Sequence, residues 1–327
     1  MIAMLANEVL KERSAAARTA TGVKEVEELK TRTDESGSKT TLAMVGFLDL
    51  LGFSHRVETV KTEEDLLTIA SDVEKIRELF EYRSTGKSTN EVHQILDKTV
   101  LAFSDCVVLA VSLETEMVKV EGAFDVLGSE IWDIAISQSR STLGGHFLRG
   151  GIDVGSWYYD RAKDLLVSPA MVRAYKEERD RACYPVIAVS NQLYYLLRDH
   201  PGRKFYSKDA DPFPDQFSSF KHPKSGKQVR FINYLRLVAP SLDWQHDKGT
   251  RDAYMKSPPD SDERDRIMQD GYMRNLSDFF ERHKSMIVSA CRGTRGAVRE
   301  KYEFLAQYHN TELKRFLSDR KDLRVRL

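Results

Sequence analysis

The chain has no charge of either sign to spare: 50 Lys and Arg residues balance 50 Asp and Glu, for a formal net charge of +0. Without a global excess there is no general pull toward nucleic acid or an anionic membrane, so any attraction for an anionic ligand must come from a local patch. Cysteine is scarce as well. Cys106, Cys183 and Cys291 are odd in number, far apart and without metal-ligand spacing, which excludes a disulfide framework and fits reduced cytoplasmic thiols. No apolar run approaches the ~20 residues of a membrane helix. Met1 to Leu5 is apolar but meets Glu8 and Lys11 too soon for a secretion signal. A soluble cytoplasmic protein, with neither nucleic acid nor membrane as partner, is the expectation.

What the chain does have is apolar mass, 41% of 327 residues, which is enough for a proper core. The run Leu42 to Leu48 is short and continuously apolar, as in a strand buried on both faces, although a buried helical turn has the same composition. It leads into Phe47-Leu48-Asp49-Leu50-Leu51-Gly52-Phe53-Ser54. A carboxylate beside a core strand is costly unless it is paired, hydrogen-bonded or bound to a metal, so Asp49 calls for compensation; an aspartate that caps a turn is the competing reading. Gly52 lets backbone approach a ligand, and Ser54 is placed to cap a helix whose first amides face an anion.

A second stretch, Leu101 to Val111, has two apolar runs around Ser104-Asp105 and reads as a hairpin with Asp105 at its tip. In an α+β, ferredoxin-like βαββαβ sheet the first strand is central and antiparallel to the third, so the hairpin tip meets the end of the first strand. Asp105 then lies beside Asp49. Two close carboxylates repel unless cations sit between them, and two divalent ions about 3.5–4 Å apart are the usual arrangement in phosphoryl transfer.

The rest of the pattern supplies covering helices and further strands. Leu66 to Phe80 and Ala123 to Ile136 carry apolar residues at helical spacing. Strands are expected over His146 to Val154, Asp164 to Val167 and Val186 to Val189, with a turn at Trp157 to Asp160. Helices are expected over Pro169 to Arg179 and Gln192 to Leu197. Pro201 to Lys227 reads as a polar excursion, and Gln228 to Leu237 as the closing strand. From Asp260 the chain is charged and helical, and the basic tail from Lys314 reads as a solvated face. The expected divisions are an N-terminal helix and linker over 1–41, a catalytic domain over 42–240 and a helical extension over 241–327.

Asp49 to Ser54 and Ser104-Asp105-Cys106 resemble the two metal stretches of the class III nucleotidyl cyclases, and Leu148 to Gly155, with Arg149, is similar to the next strand of that family. Ser168 to Glu178, Tyr184 to Ile187, Phe231 to Leu235, Lys301-Tyr302 and Tyr308 to Asn310 resemble, within it, the pyrimidine cyclases of bacterial Pycsar anti-phage defence. The resemblance implies conversion of UTP or CTP to cUMP or cCMP and pyrophosphate, with UTP preferred, by a homodimer whose partner chain supplies the nucleobase pocket. It implies two Mg²⁺ or Mn²⁺ ions on Asp49 and Asp105, helped by the Leu50 carbonyl. The amides of Leu51, Gly52 and Phe53 would cradle the phosphates, Phe47 would join them in binding the nucleotide, and Arg149 is a candidate triphosphate or interface cation, with a solvated strand charge as the competing reading. On the helix after Pro169, related purine cyclases carry an Asn and, four residues on, an Arg that stabilises the transition state. This chain has Val172 and Lys176 there, so Lys176 and Arg173 are the candidate cations. Cytidylate cyclase, purine cyclase and inactive nucleotide-binding regulator stand as alternatives.

Overall fold

A computed structural model describes residues 40–81 and 97–327. The helix and linker expected over 1–41 fall, apart from the last two residues, outside the described residues, as does the polar break expected over 84–90. The chain divides into two compact units, one of residues up to 137 with 147–232, the other of 138–146 with 233–327.

The first unit holds an α+β sheet. Its strands are β1 (Thr41–Leu50), β2 (Lys98–Phe103), β3 (Cys106–Ser112), β4 (Leu148–Asp160), β5 (Leu165–Val167), β6 (Ile187–Val189), β7 (Phe217–Lys221) and β8 (Gln228–Ile232). They are ordered β2-β3-β1-β4-β6-β8-β7, with β5 paired to β4. The first four therefore run in the 2-3-1-4 order of a ferredoxin-like core, with β1 central and antiparallel to both β3 and β4. This is the arrangement that the hairpin argument required.

Local chemistry explains the helices between the strands. After the short α1 (Phe53–Glu58), α2 (Glu63–Phe80) opens on a reciprocal cap: the Thr62 hydroxyl accepts from the Asp65 amide, and the Asp65 carboxylate accepts from the Thr62 amide. Ile69, Ile76 and Phe80 are its buried stripe. Next come α3 (Glu116–Glu121) and α4 (Ala123–Leu143). The Ser137 hydroxyl of α4 donates to the Leu79 carbonyl of α2, and Glu130 forms a buried ion pair with Lys98 on β2 at 2.7 Å. The other face of the sheet receives α5 (Pro169–Asp180), started by Ser168, whose hydroxyl accepts from the Met171 amide, and by Pro169 in the first turn. Among the described residues, the remaining α-helices of this unit are α6 (Asn191–Arg198) and α7 (Phe213–Gln216).

Three sequence expectations need correction. Trp157 to Asp160, expected as a turn, continues β4, because the Trp157 ring is buried with Ala43 and Val45 of β1 and the strand edge pairs with β5. The excursion over 201–227 contains β7, which pairs with β8. The closing strand ends at Ile232 rather than Leu237, because the Asn233 side chain accepts from the Arg236 amide and caps α8 (Tyr234–Val238).

The second unit also contains α9 (Lys248–Lys256), α10 (Asp262–Cys291) and α11 (Gly296–Phe316). Its interior sets polar groups among apolar ones such as Leu276, Phe280 and Ile287. Tyr234, His283, His309 and Glu312 are all buried, and the Tyr308 hydroxyl accepts from the Leu235 amide and donates to Asn233 Oδ1. The tail expected to be a solvated face is partly tied down. Leu323 and Val325 are buried, and the Asn310 side chain brackets the Val325 backbone by accepting from its amide and donating to its carbonyl.

Candidate active site

The C-terminal end of β1 sets the site. Asp49 stands in register with Cys106 of β3 on one side and Arg149 of β4 on the other, so three side chains share one face. Asp105 follows Ser104, whose φ of 56° makes the tight turn of the hairpin, and the Asp105 carbonyl accepts from the Leu50 amide at 3.1 Å. Ligand atoms of Asp49, Asp105 and Cys106 all lie within 4.8 Å of one another. The two aspartates singled out in the sequence are thus brought together.

Their electrostatics reflect crowding. Burial is the main cause that pushes the Asp49 carboxyl up to about 6 from an ordinary 3.8; Arg149 opposes it, while Asp105 and Glu178 add to it. The Cys106 thiol lies 4.0 Å from Asp49 Oδ1 and 3.8 Å from Asp105 Oδ1, and burial together with these carboxylates pushes it up to about 12. Asp49 and Asp105 offer oxygen donors, which suit the hard cations Mg²⁺ and Mn²⁺. The residues fit a divalent ion, because two repelling carboxylates with less than one full countercharge between them gain from a cation at this spacing.

Arg149 is the countercharge at hand. Its Nη2 lies 3.2 Å from Asp49 Oδ2 and also contacts Glu178 Oε1, from α5. Glu178 can reach this point because Gly151 has no side chain: a Cβ there would stand 2.2 Å from the Ala174 carbonyl oxygen and 2.7 Å from the Glu178 nitrogen. Sequence reasoning missed Glu178 as a member of the cluster. A signal existed, since Ala170, Ala174 and Glu178 fall on one buried stripe of α5 at four-residue steps.

The other candidates are distributed differently. Gly52, with φ 84°, is itself the residue before α1, and a Cβ there would meet nothing within 4 Å, so the turn is open on that side. Ser54 lies inside α1 instead of capping it. The Leu51 amide donates to the Phe147 carbonyl at 2.9 Å and is already taken. Phe47 shares the Asp49 face and meets the Tyr175 ring edge at 5.2 Å. Arg173 is not brought to the aspartates. Its guanidinium is engaged by the fully buried Asp153 carboxylate and donates to the Val154 carbonyl at 3.0 Å; Asp153 is four residues along β4 from Arg149, roughly 13 Å. Lys176 and Val172 are exposed on α5.

No protein-family model matches the chain, and no curated protein matches it. Solved structures do. The adenylyl cyclase CyaB from P. aeruginosa aligns at 13% identity over 60% of this chain and 95% of its own, with a TM-score of 0.35. The monomeric guanylyl cyclase domain of the RhoGC fusion protein from the aquatic fungus Blastocladiella emersonii aligns at 12% identity over 60% and 96%, with a TM-score of 0.36. A bacterial light-regulated adenylyl cyclase aligns at 12% identity over 82% of this chain and 68% of its own, also with a TM-score of 0.36.

Proposed function

We propose that the chain is a nucleotidyl cyclase that closes the 3′,5′ ring of a nucleoside triphosphate and releases pyrophosphate. The observation that carries this reading is the convergence of Asp49 and Asp105 at the open end of the central strand, with oxygen donors within 4.8 Å and a raised Asp49 carboxyl. These two residues would hold the divalent ions, with the Leu50 carbonyl as a further donor. When bound, the ions acidify the ribose 3′-hydroxyl and neutralise charge on the departing pyrophosphate. The chain's own residues do the positioning: the Gly52 and Phe53 amides receive phosphate oxygens, Arg149 faces the triphosphate, and Phe47 borders the nucleotide.

Attack of the 3′-oxygen on the α-phosphorus forms one P–O bond and breaks the bond to the β-phosphate bridge. Charge that grows on the α-phosphate needs a cation, and Arg173 is taken by Asp153 while Lys176 is exposed on α5. Exposed Lys176, beside half-exposed Val172 and the Tyr175 ring, is suited to reach the site of a second copy. A homodimer in which each chain completes the other's site is therefore part of the reading. Motif resemblance over Ser168 to Glu178 and at Tyr308 to Asn310 supports a pyrimidine substrate, UTP before CTP, and a role as messenger synthase in anti-phage defence.

Incubation with each of the four NTPs and Mn²⁺, with products identified by mass, tests the reading. The expected product is cUMP, lost in Asp49→Ala with the fold retained. A cyclic purine nucleotide would move the substrate class, and full activity in Asp49→Ala would reject the mechanism.

A further inference from the structure

We propose that Glu178 is a positioning residue that sets how tightly Asp49 takes a divalent cation, by competing with Asp49 for Arg149. The inference rests on the reading of Asp49 and Asp105 as the metal site. Its basis is one shared atom: Arg149 Nη2 contacts Glu178 Oε1 and lies 3.2 Å from Asp49 Oδ2.

The two carboxylates are unequal claimants. The Glu178 side chain is 4% exposed and that of Asp49 19%, so Glu178 is the costlier one to leave without a cation. Asp49, beside Asp105, has an alternative partner in a metal ion; Glu178, packed against the glycine surface of β4, has the Arg149 guanidinium as its main countercharge. Arg149 Nε is buried and makes no hydrogen bond, so the guanidinium is not locked by a full set of partners and can turn between its two acceptors. An arriving cation therefore takes Asp49 while Arg149 stays with Glu178, and no buried charge is left unpaired. Remove the Glu178 charge and the whole of Arg149 falls to Asp49. A metal ion must then expel an arginine to bind.

The prediction has a sign that plain structural support lacks. Mn²⁺ affinity of the full-length chain, read from the free-Mn²⁺ paramagnetic resonance signal, should fall roughly ten-fold in Glu178→Gln, the ratio set by one ordinary coupled charge pair. Arg149→Gln should bind Mn²⁺ at least as tightly as the parent, because the competitor is gone. In the Arg149→Gln background, Glu178→Gln should have no further effect. An equal loss in both backgrounds would mean that Glu178 acts directly through its field, and would overturn the proposal; so would weaker binding in Arg149→Gln, a variant that keeps Glu178 and remains informative if Glu178→Gln does not fold. The underlying site reading fails separately: in that case the parent chain shows no Mn²⁺ binding that Asp49→Asn and Asp105→Asn remove, and the inference falls with it.

Discussion

Asp49→Asn should make the metal-free protein more stable at neutral pH while it removes half of the candidate metal site. A carboxyl raised from 3.8 to about 6 in the fold is one that the fold holds in protonated form more readily than the unfolded chain does. The folded state then binds more protons than the unfolded state between pH 4 and 6, so the contribution of Asp49 to stability is greatest below that window and falls as pH rises through it. Each pKa unit is worth about 1.4 kcal/mol, so ionised Asp49 costs the metal-free fold on the order of 3 kcal/mol at pH 8. Asparagine keeps the shape and has no charge to bury, and Arg149 keeps its pairing with Glu178. Urea unfolding of the two proteins in EDTA, at steps from pH 4 to pH 8, gives the comparison. The difference in stability should start near zero and grow to roughly 2–3 kcal/mol in favour of Asn. Added Mn²⁺ at a thousand times the parent's dissociation constant should reverse the order, stabilising the parent by about 4.1 kcal/mol and the variant by far less. A difference that does not change with pH, or an Asn variant that is weaker at pH 8 in EDTA, would refute this reasoning.

Asp105→Asn should lower Mn²⁺ affinity at least ten-fold, measured by calorimetry, since half of the close carboxylate pair is lost. Gly151→Ala should destabilise the first unit by about 3 kcal/mol or more in denaturant, because the new methyl would overlap the α5 backbone and push Glu178 away from Arg149. Lys98→Met leaves Glu130 buried without its cation and should cost about 3–5 kcal/mol at pH 8, less in acid, since burial raises the Glu130 carboxyl toward protonation. In the second unit, Tyr308→Phe deprives both the Leu235 amide and Asn233 Oδ1 of a partner and should cost about 1–3 kcal/mol, read from amide exchange at Leu235.

How much of this was legible in the sequence depends on how far each relation reaches. The Asp49–Asp105 encounter was legible because it needs only an apolar run, a two-residue turn and the strand order of a ferredoxin-like core. The end of β8 was not, because Gln228 to Leu237 keeps a strand-like mix of polar, apolar and aromatic residues to its end and the stop comes from one side chain, Asn233, which accepts from the Arg236 amide. The engagement of Arg173 was not legible for a different reason. Its partner Asp153 lies 20 residues away on a strand beneath the helix, and only the packing of α5 on β4 shows that the guanidinium is already taken.

Yet the rule that singled out Asp49 applies equally to Asp153, a lone carboxylate in the apolar stretch Leu148 to Val154. Both demand compensation, and the kind of compensation separates their roles. Asp153 has a guanidinium from Arg173 on one oxygen and the Ser190 hydroxyl on the other. Nothing remains for a ligand to offer it, so it holds α5 to the sheet. Asp49 has one shared arginine nitrogen at 3.2 Å, a second carboxylate beside it and a thiol that burial keeps protonated. That deficit of positive charge, in a partly open position, is what a divalent cation would remedy. A buried acid whose fold leaves it short of partners points to a site, and one whose fold supplies them all points to architecture.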